Sequence, residues 1–457
     1  MPQDEQPPSP SKLLILGSLH QLGSLPHRSL QALSRNHGPL MLLHLGKFPT
    51  IVVSSADIAQ EVLKENDALF DSRPFQSAAH HLLYGQSDMV FSPYEDYWRR
   101  VRKVSVRKLL SLKRVQSFKA VREEEAGIVV KEIQSSCSTA AAIDLSDMFL
   151  NWSVWSGNII SRAASGKAYR GGDWIDLVTG TKSRLKRNFE AWDAFLDEVI
   201  EEKLRESKND DQDGHPNNLL SVLLQIQRDP AAEIRLTENN VKAIAMGMIL
   251  AAIDETATAL EWTMAELIKN PDAMKKAQEG VKVEEDDTMR MGYLQSVIKE
   301  AMRLHPPAPL LIPHETTAST TLRSYQISPN TRVLINAWAI GRNPASWGRN
   351  AEEFVPERFM NETVEYKGQD FRFLPFGAGR RGCSGMSFAV SAIQLALANL
   401  LYLFDRKMPG DMTKDDLDLT EAMGQTVHMK VPLRRVPTYH FAQLTFSVVH
   451  GKVIGHI

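Results

Sequence analysis

The sequence predicts a mainly α-helical protein with small β-sheets, and three observations carry that expectation. Helical signals dominate from Ser54 to about residue 305. Before residue 439, strand-like patterns are short: Leu40–Val53, Thr321–Ser328 and Thr331–Ile335. The chain has 457 residues, 43% of them hydrophobic and 24% charged, enough to bury a large core, although length alone would permit two or three domains.

In chain order, Met1-Pro2-Gln3-Asp4-Glu5 lacks the basic and apolar regions of a signal peptide, and Pro7-Pro8-Ser9-Pro10 reads as a stiff hinge. Leu40–Leu45 and Thr50–Val53, separated by Gly46-Lys47-Phe48-Pro49, predict a β-hairpin. Ser54, with Asp57 three residues on, predicts a helix N-cap, and Ile58, Val62 and Leu63 supply that helix with an apolar face. Glu206–Asn218, rich in Lys, Asp and Asn, predicts a solvated loop. Asn270-Pro271 marks a helix start and Pro306-Pro307 a helix stop. Tyr439–Ile457 follows Pro437 as an apolar, strand-like stretch with no evident pairing partner. There is no internal repeat. No run of about 18 apolar residues is present, so no bilayer-spanning segment is expected.

Composition also excludes function classes. A formal net charge of −2, with neither a basic block nor a basic-aromatic stripe, gives no electrostatic case for a nucleic-acid partner. Cys137 and Cys383 are the only cysteines, too few for a disulfide framework. Cys137, in Gln134-Ser135-Ser136-Cys137-Ser138, reads as a spare surface or loop thiol.

Cys383 differs, because it sits in Pro375-Phe376-Gly377-Ala378-Gly379-Arg380-Arg381-Gly382-Cys383-Ser384-Gly385. Glycines let a backbone turn back closely enough to aim N–H groups at a sulfur, tuning the electron density a thiolate donates to a metal. Arg381 can neutralise a porphyrin carboxylate. The pattern Phe-x-x-Gly-x-Arg-x-Cys-x-Gly resembles the haem-binding signature of the cytochrome P-450 family. Four further patterns match that family in order, and the resemblance covers essentially residues 7–438.

The resemblance implies the cytochrome P-450 fold: a single large domain around a buried haem b (iron protoporphyrin IX), with Cys383 as the metal ligand and Phe376 and Gly385 in the cofactor loop. Glu300-Ala301-Met302-Arg303 puts a carboxylate and a guanidinium at i, i+3 on one helix face. With Leu304-His305-Pro306-Pro307 and Pro356-Glu357-Arg358-Phe359 behind it, it resembles the family's buried structural triad, here Glu300, Arg303 and Arg358. Trp98 and Arg102, at i, i+4, can converge on one anion, by resemblance a haem propionate. His314 occupies a position that the resemblance directs at the other propionate.

Val241–Leu267 looks like the long helix crossing the porphyrin face, where the family has Ala/Gly-Gly-x-Asp/Glu-Thr-Thr. Here Ala252 replaces the glycine, Asp254 matches the acid, Glu255 stands where the alcohol should be, and Thr256 matches the second threonine, about 100° further round the helix. In the family the acid and alcohol relay protons to the reacting dioxygen, which makes Asp254, Glu255 and Thr256 the catalytic candidates. The Glu255 carboxyl could deliver a proton if burial raised its pKa, or could bring charge, bulk and misplaced water. A second departure is a shortened roof between Lys167-Ala168-Tyr169 and Arg184-Leu185-Lys186-Arg187, through Gly171-Gly172-Asp173-Trp174. A third is a shortening between Ala277-Gln278-Glu279 and Val283-Glu284-Glu285. Expected pocket-lining residues are Ala78 to Met89, Met248, Ala251, Ala252, Ala308 to Ile312 and Met423 to Gln425, mainly apolar.

The expected division is residues 1–37 as proline-rich hinge and lead-in, 38–438 as the haem-thiolate domain and 439–457 as a C-terminal extension. The resemblance implies a plant microsomal type monooxygenase that inserts one atom of dioxygen into a lipophilic small molecule, with electrons from an NADPH-dependent reductase. It implies the cytosolic face of the endoplasmic reticulum, with a chain that begins where the membrane anchor would have ended, which leaves a cytosolic location open. Two other readings compete. One is a haem-binding paralogue with impaired catalysis, suggested by Glu255, the shortened roof and the missing anchor. The other is an oxygen-independent haem-thiolate isomerase or dehydratase, for which the alcohol is dispensable.

Overall fold

The computed structural model describes residues 6–137, 143–166, 182–209, 218–279, 285, 291–407, 413, 416–424, 426–431, 434–439, 445–449 and 452–456. Both shortened segments, 167–181 and 280–284, lie outside the described residues, as does most of the polar loop; its first residues, 206–209, close the helix Lys182–Asn209.

The architecture is helical with small sheets, as expected. At its centre runs the helix Glu238–Lys269, packed against Leu145–Ser165, Gly292–Leu304 and Met386–Leu403. It starts where Thr237 accepts from the Asn240 N–H at 3.2 Å while Asn240 Oδ1 accepts from the Thr237 N–H at 3.0 Å, a reciprocal cap that satisfies two otherwise orphaned donors. Val241–Ile249 is buried throughout, because this helix meets neighbours on every side. By length and hydropathy it could cross a membrane, although it holds no unbroken apolar run of that length, but 67% of its apolar window is buried inside the fold.

The main sheet has four strands. Leu40–Leu45 and Phe48–Val53 form the predicted hairpin, two residues longer than expected at its turn, where Gly46 takes φ +61°. Arg332–Ile335 pairs parallel to the second strand, and His314–Glu315 pairs antiparallel to Arg332–Ile335. The Pro8 carbonyl of the hinge accepts from the Leu42 N–H at 2.9 Å, so the proline-rich segment lies along the sheet. The next helix begins at Ala56 with Ser55 as N-cap and no side-chain capping bond, a correction to the Ser54 cap. Thr321–Ser328 folds as a hairpin of Thr320–Leu322 and Tyr325–Ile327. The C-terminal stretch finds its partner within itself, Thr445–Val449 pairing antiparallel with Lys452–His456.

The helix Gly292–Leu304 ends before Pro306, and its last turns carry the charged cluster. Glu300 is fully buried and accepts from Arg303 at 2.7 and 2.8 Å and from Arg358 Nε at 3.2 Å. The Val355 N–H adds a bond at 2.8 Å. Arg303 also donates to the carbonyls of Gly341 and Ala351, at 2.6 and 2.7 Å, and Arg358 to that of Trp347 at 2.7 Å. Glu300 and both arginines are therefore paired and hydrogen-bonded, the condition under which buried charge is tolerated. Arg358→Ala leaves Glu300 short of a partner. It is expected to lower stability by about 3–5 kcal/mol and to reduce haem occupancy; thermal unfolding and the haem-to-protein absorbance ratio check this, and full values of both would remove the triad's structural role.

Candidate functional site

A cavity lies between the central helix and the loop Pro375–Gly385. Met248, Ala251, Ala252, Glu255 and Thr256 face it from the helix, and Phe376, Arg381, Cys383 and Gly385 from the loop. The loop folds tightly because Gly377 and Gly379 take φ +65° and +67°, and a Cβ at Gly379 would stand 2.0 Å from the Leu63 carbonyl oxygen. A Cβ at Gly385 would meet only the Cys383 sulfur, at an ordinary 3.8 Å. The requirement for glycine therefore falls on Gly377 and Gly379, upstream of the cysteine.

Cys383 donates its N–H to the Phe376 carbonyl at 2.9 Å, which closes the loop. Its sulfur is accessible from the cavity yet well inside the fold. Burial, followed by the Glu255 charge, pushes the thiol up to about 11, against the pull of the Gly385 and Met386 N–H groups and Arg102. Coordination to a metal deprotonates such a thiol outright.

One corner of the cavity is cationic. Arg381 donates to the carbonyls of Asp71 and Ser92 at 2.6 and 2.9 Å and stacks on Trp98 at 3.8 Å, while its buried Nη1 has no partner. Burial, then the repulsion of Arg73, pulls Arg381 down to about 9, and burial takes Arg73 down to about 10; both remain cations at neutral pH. Arg102 donates to the Gly382 carbonyl, and the Trp98 indole N–H to that of Met89 at 2.9 Å. Both line the cavity as expected, but the indole is committed to the backbone and does not converge with Arg102 on a shared point. His314 donates from Nδ1 to the Phe70 carbonyl at 2.9 Å, and burial holds its pKa well below the usual value, so the ring facing this corner is neutral.

Arg73 was not a candidate from sequence. It donates to the carbonyls of Val90, Ile312 and Pro313, at 3.2, 2.6 and 2.9 Å, partners 17 to 240 residues away that no local pattern could announce.

On the helix wall the three catalytic candidates separate. Asp254 points away and accepts from Thr426 at 2.9 Å, while Thr426 also shares a 2.7 Å bond with Thr258. Glu255 and Thr256 both line the cavity, which is wide enough to span the 100° between them, so Thr256 is not turned away as its offset suggested. Burial, then the neighbouring Asp254 charge, pushes Glu255 up to about 7. Of the expected lining residues, Met89, Met248, Ala251, Ala252, Ala308, Leu311 and Ile312 face this cavity. Ala78 to Asp88, Pro309 and Leu310 do not, and neither do Met423, which is 46% exposed, or Gly424; Gln425 lies outside the described residues.

These residues fit a haem. An accessible sulfur faces the cavity from one side, and an unpartnered guanidinium nitrogen among three arginines would meet the propionates. When bound, the haem supplies dioxygen binding and activation, favoured by thiolate electron donation.

Comparisons with known proteins identify the family and the fold. The family model for cytochrome P450 matches residues 7–160 and 157–432. Cytochrome P450 71A1 of Persea americana is 49% identical, over 93% of this chain and 92% of its own length. Desmethylyatein synthase of Sinopodophyllum hexandrum is 44% identical over 94% and 93%. Strychnine-11-hydroxylase of Strychnos nux-vomica is 45% identical over 93% and 90%. A zebrafish cytochrome P450 structure with abiraterone superposes with a TM-score of 0.78 at 28% identity, covering 92% of this chain and all of that one.

Cys383 is the cysteine that faces the cavity. Cys383→Ala is expected to abolish the thiolate-type absorption of the haem protein, and Cys137→Ala, at the end of the helix Lys119–Cys137, to leave it intact. Equal loss in both variants would refute the assignment.

Proposed function

The chain belongs to the cytochrome P450 family, an oxygen-incorporating haem b monooxygenase, and from that premise we propose the roles of its residues and its partners. Cys383 is the iron ligand, Arg102, Arg381 and His314 face the propionates beside Trp98, Phe376 and Gly385 shape the loop, and Arg73 joins the cationic corner. Residues 38–438 form the working unit, with 1–37 as lead-in and 439–457 as extension. The substrate is a lipophilic small molecule of the plant specialised-metabolite kind, and the electrons come from an NADPH-dependent reductase at the cytosolic face of the endoplasmic reticulum. The observation that carries this reading is that Cys383, from the loop Pro375–Gly385, and Glu255 and Thr256, from the central helix, line one largely apolar cavity.

The protein's own part in the reaction is positional. Met248, Ala251, Ala252 and Ile312 exclude water and hold an apolar ligand. The Thr256 hydroxyl and the Glu255 carboxyl are the helix-wall groups able to hold or pass a proton there. The test is the carbon monoxide difference spectrum of the reduced protein with reductase-driven turnover. A red-shifted Soret band with NADPH-dependent product supports a monooxygenase, whereas a band at shorter wavelength would overturn thiolate ligation.

One observation favours the second reading, impaired catalysis: a carboxyl occupies the alcohol's place, and its pKa near 7 leaves it partly charged. With neutral substrates, product formed per reductant consumed is expected to be low. Glu255→Thr, with Asp254 kept, should raise that ratio several-fold, measured as product against NADPH oxidised. A lower ratio would make Glu255 an adapted proton donor.

A further inference from the structure

Apart from the Cys383 thiol, the ionisable side chains that line the cavity are divided by sign. Arg73, Arg102 and Arg381, with His314, stand at one corner, where the haem's two carboxylates would supply the opposite charge. Glu255 stands on the helix wall among Met248, Ala251 and Ala252. Among the described residues no hydrogen bond or ion pair reaches its carboxyl, and the neighbouring charge acting on it, Asp254, is of like sign. A carboxylate in an apolar wall without a partner is costly, so it either takes up a proton or is met by a cation. Haem binding does not meet it, since the cofactor's carboxylates are themselves anions held by the arginines.

We propose that Glu255 is a recognition site for a lipophilic ammonium ligand, its positive nitrogen seated against the Glu255 carboxylate and its apolar body against Met248, Ala251, Ala252 and Ile312. This deepens the monooxygenase reading and rests on it for which side of the cavity the haem takes. The low dielectric that makes an unpaired carboxylate costly strengthens the pair once a cation arrives. Discrimination follows from the same term: a neutral molecule of equal shape leaves the acid unmatched. It also gives the exchange of alcohol for acid a purpose, because the charge that disturbs a neutral substrate anchors a cationic one.

The experiment uses haem-loaded protein and a matched pair of probes. One is (4-phenylbutyl)trimethylammonium; the other is its carbon isostere, with a tert-butyl group in place of the trimethylammonium. A quaternary nitrogen has no lone pair to coordinate iron and no proton to exchange, so the pair differs in charge alone. Affinities are measured by equilibrium titration of the Soret band for wild type, Glu255→Gln and Glu255→Thr, after each has shown the carbon monoxide band of a thiolate-ligated haem. Both substitutions are expected to weaken the ammonium probe about tenfold and to change the neutral isostere by less than about twofold. Equal weakening of both probes, or no weakening of the ammonium, overturns the proposal while the monooxygenase reading stands. Loss of the band in wild type would overturn both.

Discussion

Glu300 holds two guanidinium groups inside the fold, and the support of the cysteine loop runs outward from that cluster. Arg303 and Arg358 carry the carboxylate's charge to the backbone of residues 341–355, closing a set of bonds in which every donor ends on a carbonyl or a carboxylate. Phe359, next to Arg358, meets Phe373 at 5.1 Å between ring centroids, and Tyr366 meets Phe373 at 5.8 Å and Phe376 at 5.7 Å. Lys299, on the same helix as Glu300, donates to the Val364 carbonyl at 2.9 Å. Phe376 then accepts the Cys383 N–H, so the sulfur's position is tied back through aromatic contacts to a buried ion cluster. The ion-cluster end of this chain resists relaxation because moving it would leave a charge unpaired.

The loop is fixed from a second side as well. Gly379 passes so close to the Leu63 carbonyl that no side chain fits, which locks the cysteine loop onto the helix that follows the main hairpin. The same sheet carries His314 into the cationic corner, since His314–Glu315 pairs with Arg332–Ile335, itself paired to the hairpin. The helix after the hairpin thus holds the loop at Gly379 and the aromatic contacts hold it at Phe376, and the helical body supplies the opposite wall.

Within the cavity, charge is sorted by element. The arginines come from the Trp98 helix, the cysteine loop and the segment after Phe70, where backbone carbonyls absorb most of their donors. The helix wall is apolar except at Glu255 and Thr256. Asp254 leaves that wall to bond Thr426, which buttresses the helix from behind. The acid one residue later is therefore the charge that a ligand encounters on that wall.

By itself, the sequence determined the groups whose chemistry is local: the cysteine in its glycine and arginine loop, the Glu300–Arg303 pair at i, i+3 and the two-stranded hairpin. Each depends on residues a few positions apart, so spacing alone carries the geometry. Tertiary structure decided what depends on convergence. Arg73 becomes part of the site through carbonyls as far as 240 residues away, Trp98 spends its N–H on Met89, and Met423 turns outward although its segment looked like lining. Whether Glu255 is a charge without a partner likewise depends on everything packed around the cavity. A side chain's environment is set by neighbours from distant segments, and no periodicity in its own segment encodes them.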